Sequence, residues 1–398
     1  MTPPKKVLIF FIKFANVIGG GEYLPLLLAS ELQKRGCHVT IAVDYDTQVA
    51  HAAELYDIPL DMCSLEVKQL KPSGRLKRKI DSILPIFKIR RLKRLARDVD
   101  VCISTLNLID FGRPGLHFIC DIQYGQFGDT AFCDYANHKS PGRSLGRVYR
   151  VLRYWFAENL LRALFNIRSP RKIALDKRER IYPNSVYVER LMHNFYGDIN
   201  SSLFYPPTTF TCRTDVGGRD PYRLVFIGRI HPLKGVVEII EATEKARQST
   251  GVDVKLHIAG PLESTAYVAK VKTLASSREW VRLVGGLYGK DKEAFLSSGA
   301  YAIHVQRDEA FGISVTEYLK AGNIVLVPND GGSTEIVDSP SLTYHTNDEA
   351  ARILSHLITD ESFRSEMKQH CAERARMFSC EAYMTRQHKL IDEILGEK

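Results

Sequence analysis

Short apolar runs alternate with longer stretches in which apolar residues return every three or four positions, through both halves of the chain. In the first half this pattern predicts strands at Val7–Ile12, His38–Val43, Val101–Ser104, Leu116–Cys120 and Arg180–Tyr182. Between the first two, Leu24, Leu27, Leu28 and Leu32 fall on one face of a helix. The second half repeats the scheme, with strands expected at Arg223–Ile227, Val254–Ala259, Trp280–Val284, Ala300–Val305 and Ile324–Val327. Strands separated by helices imply βαβ units around a parallel sheet. Two doubly wound α/β domains are therefore expected, 1–205 and 206–379.

Pro206 and Pro207 force extended backbone, and Thr- and Gly-rich sequence follows through Gly218, so the linker is placed at about 205–221. The last residues, about 380–398, read as a helix with Tyr383, Leu390, Ile391, Ile394 and Leu395 on one side. It is expected to pack back on the first domain.

Composition narrows the class. With 398 residues, 44% hydrophobic and 25% charged, the chain is globular and of two-domain size. No apolar run approaches the roughly 20 residues of a membrane span, and the N-terminus shows no small-residue cleavage site. The eight cysteines are scattered with no C-x-x-C pair, which indicates neither a zinc site nor a disulfide framework. A reducing, cytoplasmic setting is expected.

The net charge of +9 is unevenly spread: residues 1–205 carry +11 and the remainder −2. Residues 68–97 hold twelve Lys and Arg against the single Asp81, and 143–180 hold eleven against three acids. Such stripes favour a polyanion or an anionic membrane surface, or are simply a solvated face. From Arg143, the residues Leu145, Tyr149, Leu152, Trp155 and Phe156 recur at helical spacing with arginines interleaved. Ile86, Ile89, Leu92 and Leu95 do the same among Lys88, Arg91 and Arg94. Either these are interfacial amphipathic helices, or their apolar faces are core.

Three strand-to-helix junctions carry candidate chemistry. After the fourth strand of the second half come Glu309, Phe311, Gly312 and Ile313, then a helix containing Glu317. Backbone N–H groups at 311–313 would form an anion site at that helix N-terminus. Two glutamates alone at this spacing are commonplace; the Phe-Gly between them gives the spacing meaning. After the first strand of the second half, Gly228, Arg229 and Lys234 point cations at the carboxyl end of the sheet, where open α/β folds bind ligands. Those cations suit a diphosphate leaving group, or are ordinary loop charges. After the chain's first strand, Gly19, Gly20 and Gly21 do not fit G-x-G-x-x-G. They permit backbone to approach a phosphate, or form a tight turn.

These residues resemble the retaining glycosyltransferases of family four, which have the GT-B architecture of two Rossmann-like domains facing a central cleft. The resemblance rests on Glu309 and Glu317 with their Phe-Gly, on Arg229 with Lys234, on Gly331-Gly332 with Glu335, and on Pro183-Asn184-Ser185 followed by Tyr205-Pro206-Pro207. It spans nearly the whole chain, and is stronger in the second half.

The resemblance implies an acceptor-binding first domain and a nucleotide-sugar-binding second domain. By it, Arg229 and Lys234 hold the diphosphate, Glu309 and the backbone at Phe311–Ile313 hold the transferred sugar and phosphate, and Glu317 meets the ribose. Gly228 belongs to the donor loop, Gly285 and Leu287 flank the base, and Gly19, Gly20 and Gly21 close over the diphosphate. The reaction implied is metal-independent transfer with retention and no cofactor beyond the nucleotide sugar, in which the departing phosphate helps to deprotonate the acceptor. A glycan or lipid-linked acceptor in surface polysaccharide, lipopolysaccharide or glycolipid synthesis is expected, on the cytoplasmic membrane face.

Many members place a His at the end of a first-domain strand; here Cys120-Asp121 stands where His-Asp is expected. Asp121 is a candidate contact to sugar or acceptor, and His117, inside the strand, reads as structural. Asp44-Tyr45-Asp46 is a D-x-D that reads as a loop at a strand end, with no metal. Two other readings are a nicotinamide-dependent oxidoreductase, which the missing G-x-G-x-x-G opposes, and a basic nucleic-acid-binding protein, for which no binding motif is present.

Overall fold

A computed structural model of the chain describes residues 3–12, 20–44, 48–70, 86–120, 160–208 and 218–396. It divides into two compact units, Met1–Pro206 with Arg386–Lys398, and Pro207–Thr385.

The first unit holds a six-stranded sheet of β1 (Lys6–Phe11), β2 (His38–Val43), β3 (Glu66–Gln69), β4 (Val101–Ser104), β5 (Leu116–Ile119) and β6 (Arg180–Pro183). All pairings are parallel, in the order β3-β2-β1-β4-β5-β6. The second unit holds β7 (Asp220–Ile227), β8 (Lys255–Ala259), β9 (Val281–Gly285), β10 (Gly299–Ile303), β11 (Ile324–Pro328) and β12 (Thr343–Tyr344), ordered β12-β11-β10-β7-β8-β9. Read from its other edge, that order is the same as the first. Both units are Rossmann-like doubly wound α/β domains, and in each the strand order reverses beside the first strand.

Strand composition explains the sheets. Val7, Leu8, Ile9, Leu224, Val225 and the run Ile324–Val327 are essentially inaccessible, as expected for strands covered on both faces. Two strands lie outside the sequence expectation. β3 is exposed at every position and shows no apolar run, so it is held by its edge pairing to β2. β12 has two residues. The linker expected at 205–221 is also shorter than proposed: Thr208 is buried, accepting from Lys320 Nζ at 2.6 Å, and β7 starts at Asp220.

The helix Tyr23–Lys34 buries Leu24, Leu28 and Leu32. Pro25 lies in its first turn, where the missing N–H costs no intrahelical bond. The helix Ile86–Leu95 sends Ile89 and Leu92 into the same core as Leu8, Phe10 and Phe111. Its cations are largely engaged inside the unit. Lys88 pairs with buried Asp44 at 3.0 Å, Arg91 donates to Leu70 O at 2.7 Å, and Lys93 meets Asp110 at 2.9 Å. Ile89, Leu92 and Leu95 on the apolar face are therefore packed in or against the core of the unit. Residues 71–85 and 143–159 of the two basic stripes lie outside the described residues.

A second cluster of cations is also internal. Asp110 accepts from Lys93, from Arg168 Nε at 2.9 Å, and from the N–H groups of Gly112 and Arg168. Burial would raise its carboxyl, yet these donors hold it below the usual aspartate value. His117 is buried, with Ile109 N–H donating to Nδ1 at 3.4 Å, so its proton lies on Nε2, 2.9 Å from Glu179. That is a structural histidine. The helix Cys380–Leu395 buries Ile391 and ends with Lys5 Nζ donating to Leu395 O at 2.8 Å, a cation on the last helical carbonyls. Among the described residues no helix is long and apolar enough to cross a membrane.

Candidate active site

In the second unit β7 and β10 are paired neighbours, with Tyr301 beside Leu224 and Ala302 beside Val225. The loops leaving their carboxyl ends therefore emerge side by side where the strand order reverses. That is the position at which doubly wound sheets bind ligands.

The loop after β7 is shaped by close backbone approaches. Gly228 N–H donates to Ala259 O at 3.0 Å, and a Cβ on Gly260 would lie 2.0 Å from Gly228 O. A 3-10 turn, Pro232–Lys234, follows, with Leu233 N–H donating to His231 Nδ1 at 3.3 Å. Gly235 then takes a left-handed conformation (φ +56°), where a Cβ would meet Val305 at 2.6 Å. The helix Val236–Thr250 begins only after it, so Lys234 stands on the turn before the helix.

The loop after β10 carries Glu309. Gly332 N–H donates to Glu309 O at 2.8 Å, and a Cβ on Gly331 would lie 2.8 Å from both Glu309 N and O. The Gly331-Gly332 segment thus cradles the backbone that presents the carboxylate. Phe311 is buried against Phe378, with ring centroids 5.9 Å apart. Gly312, left-handed at φ +109°, is the N-cap of the helix Ile313–Lys320. The first N–H groups of this helix lack acceptors within it and carry the positive end of its dipole. Tyr318, one turn on, bolts the helix to β7: Ile227 N–H donates to its hydroxyl at 2.8 Å, and that hydroxyl faces Ile227 O at 3.2 Å.

These constraints bring Lys234 Nζ to 2.8 Å from Glu309 Oε2, with His304 Nε2 3.5 Å from the same oxygen. Burial would raise the Glu309 carboxyl, but His304 and the Lys234 ammonium outweigh it and hold the group at about 2. Glu317 is buried and accepts from Lys292 Nζ at 2.7 Å. Arg229 is exposed, with no ion-pair or hydrogen-bond partner for its side chain among the described residues.

The other residues singled out by sequence are placed as follows. Gly285 ends β9 at φ +90°, its carbonyl accepting from Gly260 N–H at 2.8 Å, and half-buried Leu287 follows. Gly20 and Gly21 form a 3-10 turn before the helix Tyr23–Lys34 in the first unit, and a Cβ on Gly21 would meet open space. Gly19 and Asp121 lie outside the described residues. Among those residues no group of three or more His, Cys, Asp or Glu side chains is arranged to hold a metal ion.

His304, Lys292, Tyr318 and Gly260 were not singled out by sequence. Each is a single residue of ordinary type; Lys292, Tyr318 and Gly260 act through contacts 25 or more residues away, and His304 reaches Glu309 across the loop that follows its own strand. Gly260-Pro261, closing a strand, is the one turn signal that could have drawn notice.

Residues 216–377 match the family model described as glycosyl transferases group 1. A "GDP-Man:Man(3)GlcNAc(2)-PP-Dol alpha-1,2-mannosyltransferase" of Caenorhabditis elegans is 25% identical over 166 residues. That match covers 37% of this chain and 35% of the relative, so the chain matches about a third of that protein's length. Among solved structures, WaaG, described as a glycosyltransferase involved in lipopolysaccharide biosynthesis, superposes with a TM-score of 0.67 at 15% identity, covering 98% of this chain and 100% of that one. HepE of Anabaena, in complex with UDP-glucose, gives 0.66 at 16% identity over 98% and 100% of the two chains. At such identities the structures establish the fold, that of the GT-B glycosyltransferases.

Proposed function

We propose that the chain transfers a glycosyl group from a nucleoside-diphosphate sugar to a glycan or lipid-linked acceptor, with retention at the anomeric carbon and without a metal. The observation that carries this reading is the Lys234–Glu309 pair, set at the reversal point of the second sheet beside the N-terminus of helix Ile313–Lys320. An ammonium and a helix dipole converge there with a carboxylate that stays ionised, which suits a ligand carrying both a diphosphate and sugar hydroxyls.

In this reading the diphosphate lies against Lys234, Arg229 and the helix N–H groups, and Glu309 accepts hydrogen bonds from hydroxyls of the transferred sugar. Glu317 accepts from the ribose, and the base lies by Gly285 and Leu287. As the anomeric C–O bond breaks, its electron pair leaves with the diphosphate. The acceptor oxygen bonds to the same face of the anomeric carbon, and its proton passes to the departing phosphate. The cations and dipole act on charge that develops only in the transition state, so they accelerate the step rather than merely tighten binding.

The relatives' names include a GDP-mannose enzyme with a lipid-linked acceptor, a protein of lipopolysaccharide biosynthesis, and a UDP-glucose complex. They support a glycan or lipid-linked acceptor and direct the donor search to UDP- and GDP-sugars. The test is incubation of the purified chain with a panel of these, following release of nucleoside diphosphate. Release that disappears in Lys234→Ala is the expected result. If no donor is hydrolysed, and none shifts the melting temperature, the proposal fails.

A further inference from the structure

Lys292 lies near the start of helix Gly289–Ser297, which follows the Gly285–Leu287 turn after β9. Its neighbour Lys290 is exposed to solvent, but Lys292 turns inward. Its Nζ donates to Glu317 Oε1 at 2.7 Å, and the two side chains are 19% and 9% exposed. Its backbone N–H donates to Tyr288 O at 3.3 Å, tying it to the end of the same turn.

A carboxylate this far from water is costly without a charged partner. Glu317 stands on the helix whose N-terminus forms the anion site, so an uncompensated negative charge there would also oppose an incoming diphosphate. The site answers both problems twice over. Glu309 has Lys234, and Glu317 has Lys292. The pairing also fixes one carboxylate oxygen, which orients the other.

We propose that Lys292 is a positioning residue for nucleoside recognition: it holds Glu317 oriented toward the ribose hydroxyls, and couples that carboxylate to the turn that meets the base. This rests on the reading of Glu317 as the ribose partner. Lys292 itself need not touch the nucleotide.

The test compares binding of UDP and GDP with that of their dideoxy counterparts, which lack both ribose hydroxyls. Lys292→Met keeps the aliphatic stem and removes the charge. It is expected to weaken the ribonucleotide that wild type binds by about tenfold, the order of one charge-assisted hydrogen bond, and to leave the dideoxy counterpart unchanged. Glu317→Gln should show the same selectivity, the double variant should lose no more than either single one, and Lys292→Arg should recover most of the loss. Retained dideoxynucleotide binding reports that the variant is folded. An equal loss for both sugars, or no loss for either, overturns the assignment. Failure of wild type to bind any nucleoside diphosphate is a separate result, which removes the donor reading and this inference together.

Discussion

Lys234 Nζ and Glu309 Oε2, 75 residues apart in sequence, stand 2.8 Å from each other at the carboxyl ends of two neighbouring strands. Lys234 in this position is a shared ammonium: it compensates Glu309 before the donor arrives, and three N–H donors let it serve a phosphate oxygen as well. Removing it takes away a leaving-group cation and also leaves a carboxylate that repels the diphosphate. Lys234→Ala and Glu309→Gln should each lower turnover by about 10²–10³-fold, and the double variant should fall short of the product of the two. Strictly multiplicative losses would show that the residues act separately.

The same pair makes stability depend on pH. The Glu309 carboxyl sits at about 2 in the folded chain against 4.5 ordinarily. A depressed folded value adds stability that is complete above the unfolded value and is lost as pH falls through the folded one. Between pH 4.5 and 2 wild type should lose on the order of 3 kcal/mol relative to Glu309→Gln, an amount read from denaturant midpoints. Parallel pH profiles for the two proteins would mean the pair does not form.

Gly332 touches no proposed ligand yet supports the site. A Cβ there would lie 2.3 Å from Ala310 O. Gly332→Ala must push the backbone between Glu309 and Phe311, so turnover should fall with a stability loss of about 2–4 kcal/mol. Full activity in this variant would show that the loop tolerates displacement.

Of the D-x-D at 44–46, Asp44 is taken up by packing, and Tyr45 and Asp46 lie outside the described residues. Asp44 is buried and paired with Lys88 at 3.0 Å. Transfer should persist in EDTA, and Asp44→Ala should lower the melting temperature, since breaking a buried pair costs about 3–5 kcal/mol. Loss of turnover on chelation, restored by a divalent cation, would contradict the metal-free mechanism.

Leu92 separates core from interface. It is fully buried with Ile89 in the core of the first unit. Leu92→Ala should cost about 2–5 kcal/mol of stability without altering flotation on anionic vesicles. Unchanged stability with weakened flotation would restore the interfacial role of helix Ile86–Leu95.

Much of the architecture was legible in the sequence because buried parallel strands write themselves as apolar runs. Runs such as Val7–Ile12 and Ile324–Val327 lie within a residue of the strands they mark. β3 was not legible, since a four-residue exposed edge strand is specified by its neighbour's free backbone groups rather than by its own side chains. The basic helix at 86–95 stayed ambiguous for a related reason: core and interfacial helices share one periodicity, and only the packing partner distinguishes them.

Glu309, Arg229, Lys234 and Glu317 stood out in the sequence as candidates because turn glycines and a helix start surround them, and those signals are local. The sequence by itself determined the two-fold repetition of a parallel α/β unit and the loops that carry the candidate residues. The tertiary structure decided that Lys234 meets Glu309, that His304 joins them, that Lys292 meets Glu317, and that Gly331-Gly332 cradles the Glu309 backbone. Such contacts depend on strand order and on close approach between distant segments, neither of which leaves a periodic mark on the chain. Charge separates the two levels in the same way: an excess of +11 in residues 1–205 is a property of composition, whereas the burial of Lys88, and its pairing with Asp44, is a property of the fold.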